Sequence, residues 1–449
     1  MRFSELDGAR VGVWGAGREI ASFADQLARR LPSAALVVAA FDEPPSAPAR
    51  EALRAPAARI VTAERARAAL EECDVVVRSP GVSVHRPELR ELREAGVHVT
   101  TATSLWLCEH GGAGVLGVTG TKGKSTTAAL AAQLARGAGL EVALAGNIGV
   151  PALDLLDGAG ADLTVLELSS YQIADLECGP QVALFTNLYR EHLDWHGSEL
   201  DYRADKLRLF ALPGVAVGIV NDRDAALARV HARPALVRYG TPAGWDASAA
   251  GITRAGELVL AARDLPLRGE HNALNLCGAL AALEALAVPL PALPQALEGF
   301  QPLAHRLQEV GGDGGITWVD DSISTTPESA IAALASFPDG ALVLIAGGQD
   351  RGQDYSALAR AIAERGASVA AVPTTGPRLL EAARAAGVPP QQLHEAADLA
   401  EAVRIARALA ERGAGAVVLL SPAAPSFDHF RDFEERGERF AELARAAGP

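Results

Sequence analysis

Short apolar runs recur along the chain, and each breaks at a polar or glycine-rich turn that hands over to a helical pattern. The first enters Gly15-Ala16-Gly17-Arg18 from Val11 to Trp14 and leads into a helical stretch ending at Leu31. A second, Ala35 to Phe41, stops at Asp42, and a third, Asp74 to Val77, enters Arg78-Ser79-Pro80-Gly81. Val115 to Val118 then runs into Gly120-Thr121-Lys122-Gly123-Lys124-Ser125-Thr126, ahead of an alanine-rich helical pattern from Ala128 to Leu134. Further runs end in Gly146-Asn147-Ile148-Gly149, at Glu167 before Ser169-Ser170-Tyr171-Gln172, and at Thr186 before the stretch from Asn187 to His196. Near the C-terminus, runs starting at Ile316, Leu342 and Ala416 deliver Asp320-Asp321-Ser322, Gly347-Gly348-Gln349-Asp350-Arg351 and Ser421-Pro422.

Uninterrupted apolar runs are the mark of strands buried on both faces, so strand and helix patterns in alternation predict parallel sheets covered by helices. The expected fold is α/β in three domains: a Rossmann-like first domain over 1–108, a central nucleotide-binding domain with a mostly parallel sheet over 109–306, and a C-terminal Rossmann-like domain over 307–449. Residues 221–265 read as loop-rich with short strands, and the proline-interrupted stretch from Phe300 to Leu307 marks the second boundary. Ligands in such sheets bind at the carboxyl ends of the strands, which is where the polar turns fall.

The turn from Gly117 to Thr127 carries the most chemistry. Lying between a strand and a helix N-terminus, its backbone N–H groups can hold phosphate oxygens. Lys124 can reach the terminal phosphates and the Ser125 or Thr126 hydroxyl can coordinate Mg²⁺. The spacing departs from the common Walker form, because only two residues separate Gly120 from Gly123-Lys124-Ser125. The chain has three lysines, Lys122, Lys124 and Lys206, among 41 basic residues, the other 38 being arginine. Lysine therefore survives where a compact amine is needed, and Lys206 joins the loop lysines by elimination, unless it is a leftover surface residue. Glu167, at the end of an apolar run downstream of the loop, reads as a Mg²⁺ ligand or as a solvent-facing strand end. His192 reads as a ligand, an acid–base group or a structural histidine. The first glycine turn lacks the third glycine of a dinucleotide fingerprint, which favours a nucleotide diphosphate over NAD, with Asp42 placed for a ribose hydroxyl.

Composition narrows the class. With 449 residues, 49% of them hydrophobic, and no apolar run of membrane-spanning length, the chain is expected to be globular and cytoplasmic. A net charge of −14 argues against a nucleic-acid surface. Four dispersed cysteines, Cys73, Cys108, Cys178 and Cys277, without a CxxC pair, read as buried reduced thiols.

In order along the chain stand Gly-Thr-Lys-Gly-Lys-Ser-Thr, Gly-Asn-Ile-Gly, Glu-Leu-Ser-Ser-Tyr-Gln, Asn-x-x-x-Glu-His-Leu-Asp, Tyr-x-x-x-Lys, His-Asn-x-x-Asn, His-Arg, Asp-Asp-Ser and Leu-Ser-Pro-x-x-x-Ser-Phe-Asp. This set resembles the Mur ligases across essentially the whole chain, and within them the MurD type, which adds glutamate to UDP-N-acetylmuramoyl-L-alanine in peptidoglycan synthesis. The resemblance implies an ATP-dependent amide ligation through an acyl phosphate. It implies ATP contacts at Gly120, Thr121, Lys122, Gly123, Lys124, Ser125 and Thr126, with Asn272 on adenine, Arg306 on the γ-phosphate and Asp321 on ribose. Ser125, Glu167 and His192 would be ligands of two Mg²⁺ ions, together with Lys206, which matches a lysine that is carbamylated in this family. The UDP substrate would lie on Gly15, Ala16, Gly17, Arg18, Asp42, Ser79, Pro80, Gly81, Asn147 and Ser169.

Ile323 and Arg351 stand where D-glutamate-adding members usually carry lysine. Instead, Trp14-Gly15-x-Gly17-Arg18-Glu19, Asp-Ser-Ile-Ser-Thr-Thr-Pro-Glu and Ser-Pro-x-Ala-Pro-Ser-Phe resemble a variant that adds L-glutamate and works with a separate epimerase. Thr325, Arg351, Ser421 and Phe427 are the glutamate-pocket candidates for either enantiomer. The expected partners are the two small-molecule substrates and that epimerase, with no membrane and a monomeric chain. A glutamate ligase of the folylpolyglutamate-synthase kind is disfavoured by the nucleotide-like first domain. An inactive ATP-binding scaffold is disfavoured by the intact loop, Glu167, His192 and Lys206, and a dehydrogenase rests only on the incomplete first glycine turn.

Overall fold

A computed structural model describes residues 1–42, 44–45, 50–55, 57–158, 160–189, 191–232, 235–267, 269–300, 304–313, 315–337, 341–350, 352–411, 413 and 416–446. The chain divides into two compact units, Met1–Phe300 and Gln301–Pro449.

The first unit contains two parallel sheets. One is built from β1 (Arg10–Trp14), β2 (Ala35–Phe41), β3 (Arg59–Thr62), β4 (Val75–Arg78) and β5 (His98–Thr100), in the order β3-β2-β1-β4-β5. The other holds β6 (Val115–Thr119), β7 (Val142–Gly146), β8 (Leu163–Glu167), β9 (Val182–Phe185), β10 (Val217–Asn221) and β11 (Ala235–Tyr239), in the order β11-β10-β9-β6-β8-β7. Every residue of β6, β8 and β9 is buried, as expected of apolar runs covered on both faces. The loop-rich stretch forms a small antiparallel sheet, β12 (Trp245–Ser248), β13 (Gly251–Arg254) and β14 (Glu257–Ala261).

Register is what assembles the site in this unit. Val118 pairs with Glu167, Glu167 with Gly146, and Thr119 with Phe185, so four strands end level with one another. The phosphate loop, the Gly-Asn-Ile-Gly turn, Glu167 and the Thr186-Asn187 turn therefore emerge at one edge.

The second unit holds β15 (Gln308–Asp313), β16 (Ile316–Asp320), β17 (Leu342–Ala346), β18 (Ser368–Ala371), β19 (Leu393–Glu395) and β20 (Val417–Leu420), ordered β15-β16-β20-β17-β18-β19. Only the β15–β16 pair is antiparallel. Leu420 pairs with both Asp320 and Ile345, which brings the Asp321 and Ser421 turns side by side. Among the described residues no helix is long and apolar enough to cross a membrane.

One expectation is corrected. Cys108 and Cys178 form a disulfide, with Cα atoms 5.2 Å apart, while Cys73 and Cys277 are free and buried as expected. The partners lie 70 residues apart in sequence, so spacing carries no sign of the pair. The fold brings the helix Ala102–His110 against the segment following the helix Ser170–Ile173.

Candidate active site

The phosphate loop is held from beneath by the turn after β9. Asn187 Oδ1 accepts from the backbone N–H of Thr121 at 3.1 Å and of Lys122 at 2.7 Å, and its Nδ2 donates to the Lys122 carbonyl at 3.0 Å. The Thr186 hydroxyl donates to the same carbonyl at 2.5 Å. A Cβ on Gly120 would lie 1.9 Å from that hydroxyl, so the close approach of the two turns demands glycine. Gly123 takes φ +79° and opens the helix Lys124–Gly137, whose first N–H groups point at the cradle. Lys124 Nζ donates to the Thr121 carbonyl at 2.9 Å, Ser125 is buried and Thr126 half-buried. Asn272 stands in the first turn of the helix Glu270–Ala285.

Glu167, at the end of β8, is 1% exposed. Its Oε1 accepts from Asn147 Nδ2 at 2.9 Å, and its Oε2 has no hydrogen-bond partner among the described residues. A buried carboxylate oxygen left in this way is costly without a cation or donor, and it fits a hard metal ion. Lys206, on the helix Glu199–Leu207, donates to the Gly120 carbonyl at 2.7 Å and the Thr119 hydroxyl at 3.3 Å. It is 2% exposed, and burial, followed by the charge of Lys124, pushes its pKa well below the usual lysine range. His192 has φ +57° and packs its ring 4.9 Å from Tyr171; burial lowers its pKa, against the pull of Glu191. Lys206 thus touches the loop, Lys206 and His192 both feel the charge of Lys124, and Glu167 stands level with the loop in the sheet.

The first-sheet turns form a second group. Gly15 takes φ +94°, and a Cβ there would come within 2.7 Å of Ser79 Cβ; the Ser79 hydroxyl donates to the Ala16 carbonyl at 2.8 Å. Gly17 precedes the helix Arg18–Arg30, and Arg18 donates to the Asn147 carbonyl at 3.0 Å and the Gly149 carbonyl at 3.1 Å, joining this turn to the Gly-Asn-Ile-Gly turn. Pro80 and Gly81 offer their carbonyls to Trp195 Nε1. Asp42 is exposed and paired with Arg86 at 2.6 Å, whose guanidinium lies over the Trp14 ring. Ser169 caps the helix Ser170–Ile173 and bonds Gln172.

In the second unit, Asp321 accepts from the Ser421 hydroxyl at 2.8 Å and from the Leu307 N–H at 3.2 Å. Burial pushes its carboxyl up to about 6, while Ser324, Ser421 and the Arg306 charge pull the other way. The ribose and glutamate-pocket candidates, Asp321 and Ser421, are therefore in direct contact. Arg306 Nε has no partner among the described residues. Thr325 is half-buried and Phe427 is 60% exposed. Arg351 lies outside the described residues.

Several residues with clear roles escaped the sequence reading. Glu191 sits beside the expected ligand His192 and pairs with Lys122 at 2.7 Å. Tyr202 hydrogen-bonds the Thr121 hydroxyl at 2.7 Å. Arg78, fully buried, grips Asp175 through two hydrogen bonds of 2.8 and 2.6 Å and donates to four carbonyls, those of Ser79, Pro80, Val82 and Tyr171. The Asn-x-x-x-Glu-His motif was a signal for Asn187 and Glu191. Arg78 reads in the sequence as the first residue of the Arg78-Ser79-Pro80-Gly81 turn, and its partner, 97 residues away, leaves no local sign of the grip.

The sequence matches the Mur ligase middle domain over residues 118–283 and the Mur ligase glutamate ligase domain over residues 305–424. It is 43% identical over 454 residues to a UDP-N-acetylmuramoyl-L-alanine–L-glutamate ligase of Salinispora tropica, covering 99% of both chains. It is 45% identical over 457 residues to one of a Micromonospora species, covering 99% of this chain and 98% of the relative. In structure it is similar to the UDP-N-acetylmuramate-alanine ligase MurC of Thermotoga maritima, with a TM-score of 0.58 at 18% identity, covering 98% of this chain and all of the other. Two domain matches laid over the phosphate-loop unit and the unit carrying Asp321, and relatives matching from end to end, place the chain in the Mur ligase family.

Proposed function

We propose that the chain is an ATP-dependent ligase that joins L-glutamate to UDP-N-acetylmuramoyl-L-alanine in peptidoglycan synthesis. The observation that carries the nucleotide chemistry is Glu167, buried level with the phosphate loop and holding an oxygen without a partner among the described residues. The full-length relatives, each bearing the L-glutamate name, support the choice of amino acid.

The alanyl carboxylate attacks the γ-phosphorus and ADP leaves; the amine of glutamate then adds to the acyl carbon, and phosphate leaves through a tetrahedral intermediate. Catalysis of such a transfer rests on positioning and on neutralising phosphoryl charge. Lys124 and the loop N–H groups supply positive potential at the phosphates. Ser125, Glu167, His192 and a carbamylated Lys206 hold Mg²⁺, which neutralises the phosphoryl oxygens when bound. Lys206 is suited to carbamylation because burial disfavours its charged form, and a neutral nitrogen is what bonds to CO₂. Asn272 takes adenine. The turns at Gly15–Arg18 and Ser79–Gly81, with Asp42, Asn147 and Ser169, take the UDP substrate. In the second unit Arg306 takes the γ-phosphate and Asp321 the ribose, and Thr325, Arg351, Ser421 and Phe427 take glutamate. Domain limits at 1–108, 109–306 and 307–449 and a cytoplasmic monomer acting ahead of an epimerase complete the proposal.

The test is phosphate release from ATP and Mg²⁺ with UDP-N-acetylmuramoyl-L-alanine and either L- or D-glutamate, with product mass as a second readout. Release with L-glutamate is expected. Release with D-glutamate only would reassign the amino acid, and release with neither would overturn the proposal.

A further inference from the structure

A cleft of about 930 Å³ opens in the first unit, between the segment from Val84 to Val99 and the segments around Asp175 and Asp205. His85, from the loop after β4, and Asp205, from the helix Glu199–Leu207, line it, and the buried His196, from the short helix Leu193–His196, converges on them from behind. Their ligand atoms all lie within 4.8 Å of one another. Asp205 Oδ2 is 2.8 Å from His85 Nε2 and 2.6 Å from His196 Nδ1. None of the three belongs to the ligation machinery assigned above.

From this juxtaposition we propose that His85, His196 and Asp205 bind a divalent transition metal, zinc by ligand type, with the fourth position open to the cleft. Two imidazoles among three ligands suit Zn²⁺ better than Mg²⁺, whose shell is mostly oxygen. Tetrahedral bonds of about 2.1 Å set ligand atoms about 3.4 Å apart. The two close contacts therefore have to open by under about 1 Å; His85, 38% exposed in its side chain, can move for the first, and the second requires a small shift of the Asp205 carboxylate against the fixed His196 ring.

The surroundings are those of a built site. The His196 side chain is fully buried, and its other nitrogen, Nε2, is 3.0 Å from the Ser170 hydroxyl, an outer partner that fixes which nitrogen faces the metal. Trp195 packs 4.4 Å from the His196 ring and 5.9 Å from the His85 ring, and Tyr202 lies 5.2 Å from His196, so the imidazoles are walled by aromatic rings. The cleft supplies the entry path. A metal here would clamp the loop after β4 to the short helix that follows His192 and to the helix that carries Lys206.

The test is a titration of the metal-stripped full chain with Co²⁺ in excess Mg²⁺, followed by absorbance and by displacement with Zn²⁺. Wild type is expected to show one equivalent with tetrahedral ligand-field bands that Zn²⁺ removes. His85→Ala and Asp205→Asn are expected to weaken binding at least ~100-fold, and Ser170→Ala ~10-fold. His192→Ala is expected to leave the titration unchanged. Absence of the bands in wild type overturns the proposal. So does an unaltered titration in His85→Ala, whose exposed side chain can be removed without disturbing the core, or loss of the signal in His192→Ala, which would assign the ion to the Mg²⁺ ligands.

Discussion

Glu167 and Asp321 are both carboxylates at strand ends, and their surroundings separate their behaviour. Glu167 keeps one oxygen without a partner among the described residues, whereas Asp321 has both oxygens engaged, by Ser421 and by the Leu307 N–H. Burial raises Asp321 from its ordinary 3.8 to about 6, so between those pH values the folded chain holds a proton that the unfolded chain has lost. Its contribution to stability therefore falls as pH rises through that window and is lowest above it. Asp321→Asn is expected to flatten this fall by up to ~3 kcal/mol. Urea midpoints of wild type and variant at about pH 4 and about pH 7 would read it, and equal shifts in both would refute the raised pKa. Lys206→Ala is expected to lose at least ~100-fold in phosphate release and to recover part of it in buffers containing a short carboxylic acid. Full activity without the acid would remove Lys206 from the site. The lysine count singled out this residue in advance; its buried contact with Gly120 became visible only once the helix Glu199–Leu207 was placed against β6.

Elements explain why glycines of one loop are unequal. A Cβ added to Gly120 would lie 1.9 Å from Thr186 Oγ1 and 3.1 Å from the Asn187 backbone nitrogen, both in the turn that supports the loop. A Cβ added to Gly123 would lie 2.4 Å from Asn275 Oδ1, the end of a side chain and not the backbone of a supporting turn. Gly120→Ala is expected to cost ~2–3 kcal/mol in stability and to abolish ATP-dependent phosphate release. Gly123→Ala is expected to cost ~1 kcal/mol, with a raised KM for ATP as its main effect. Equal losses in the two unfolding curves would show that support from β9 does not matter. The strands that deliver these turns were legible as apolar runs, within about one residue at most ends. Short edge strands such as β5 and β19 were not, because three residues carry too little periodicity.

At the scale of the molecule, the chain forms two units with separate sheets and separate cores. A fragment spanning residues 301–449 is expected to unfold cooperatively by itself and to keep the Asp321 pH dependence; circular dichroism during urea titration would show this, and a non-cooperative profile would contradict it. What the sequence determined alone was the local and the ordered: alternating strands and helices, the phosphate loop, the polar turns at strand ends, and the succession of motifs that marks a Mur ligase. These depend on neighbours along the chain, or on order, and both are written in one dimension. What tertiary structure decided was every pairing across distance. The Cys108–Cys178 bond, the Arg78–Asp175 grip, the Asp321–Ser421 contact and the meeting of His85, His196 and Asp205 each join segments far apart in sequence. Strand register and helix packing set those distances, and no pattern of residues along the chain encodes them locally.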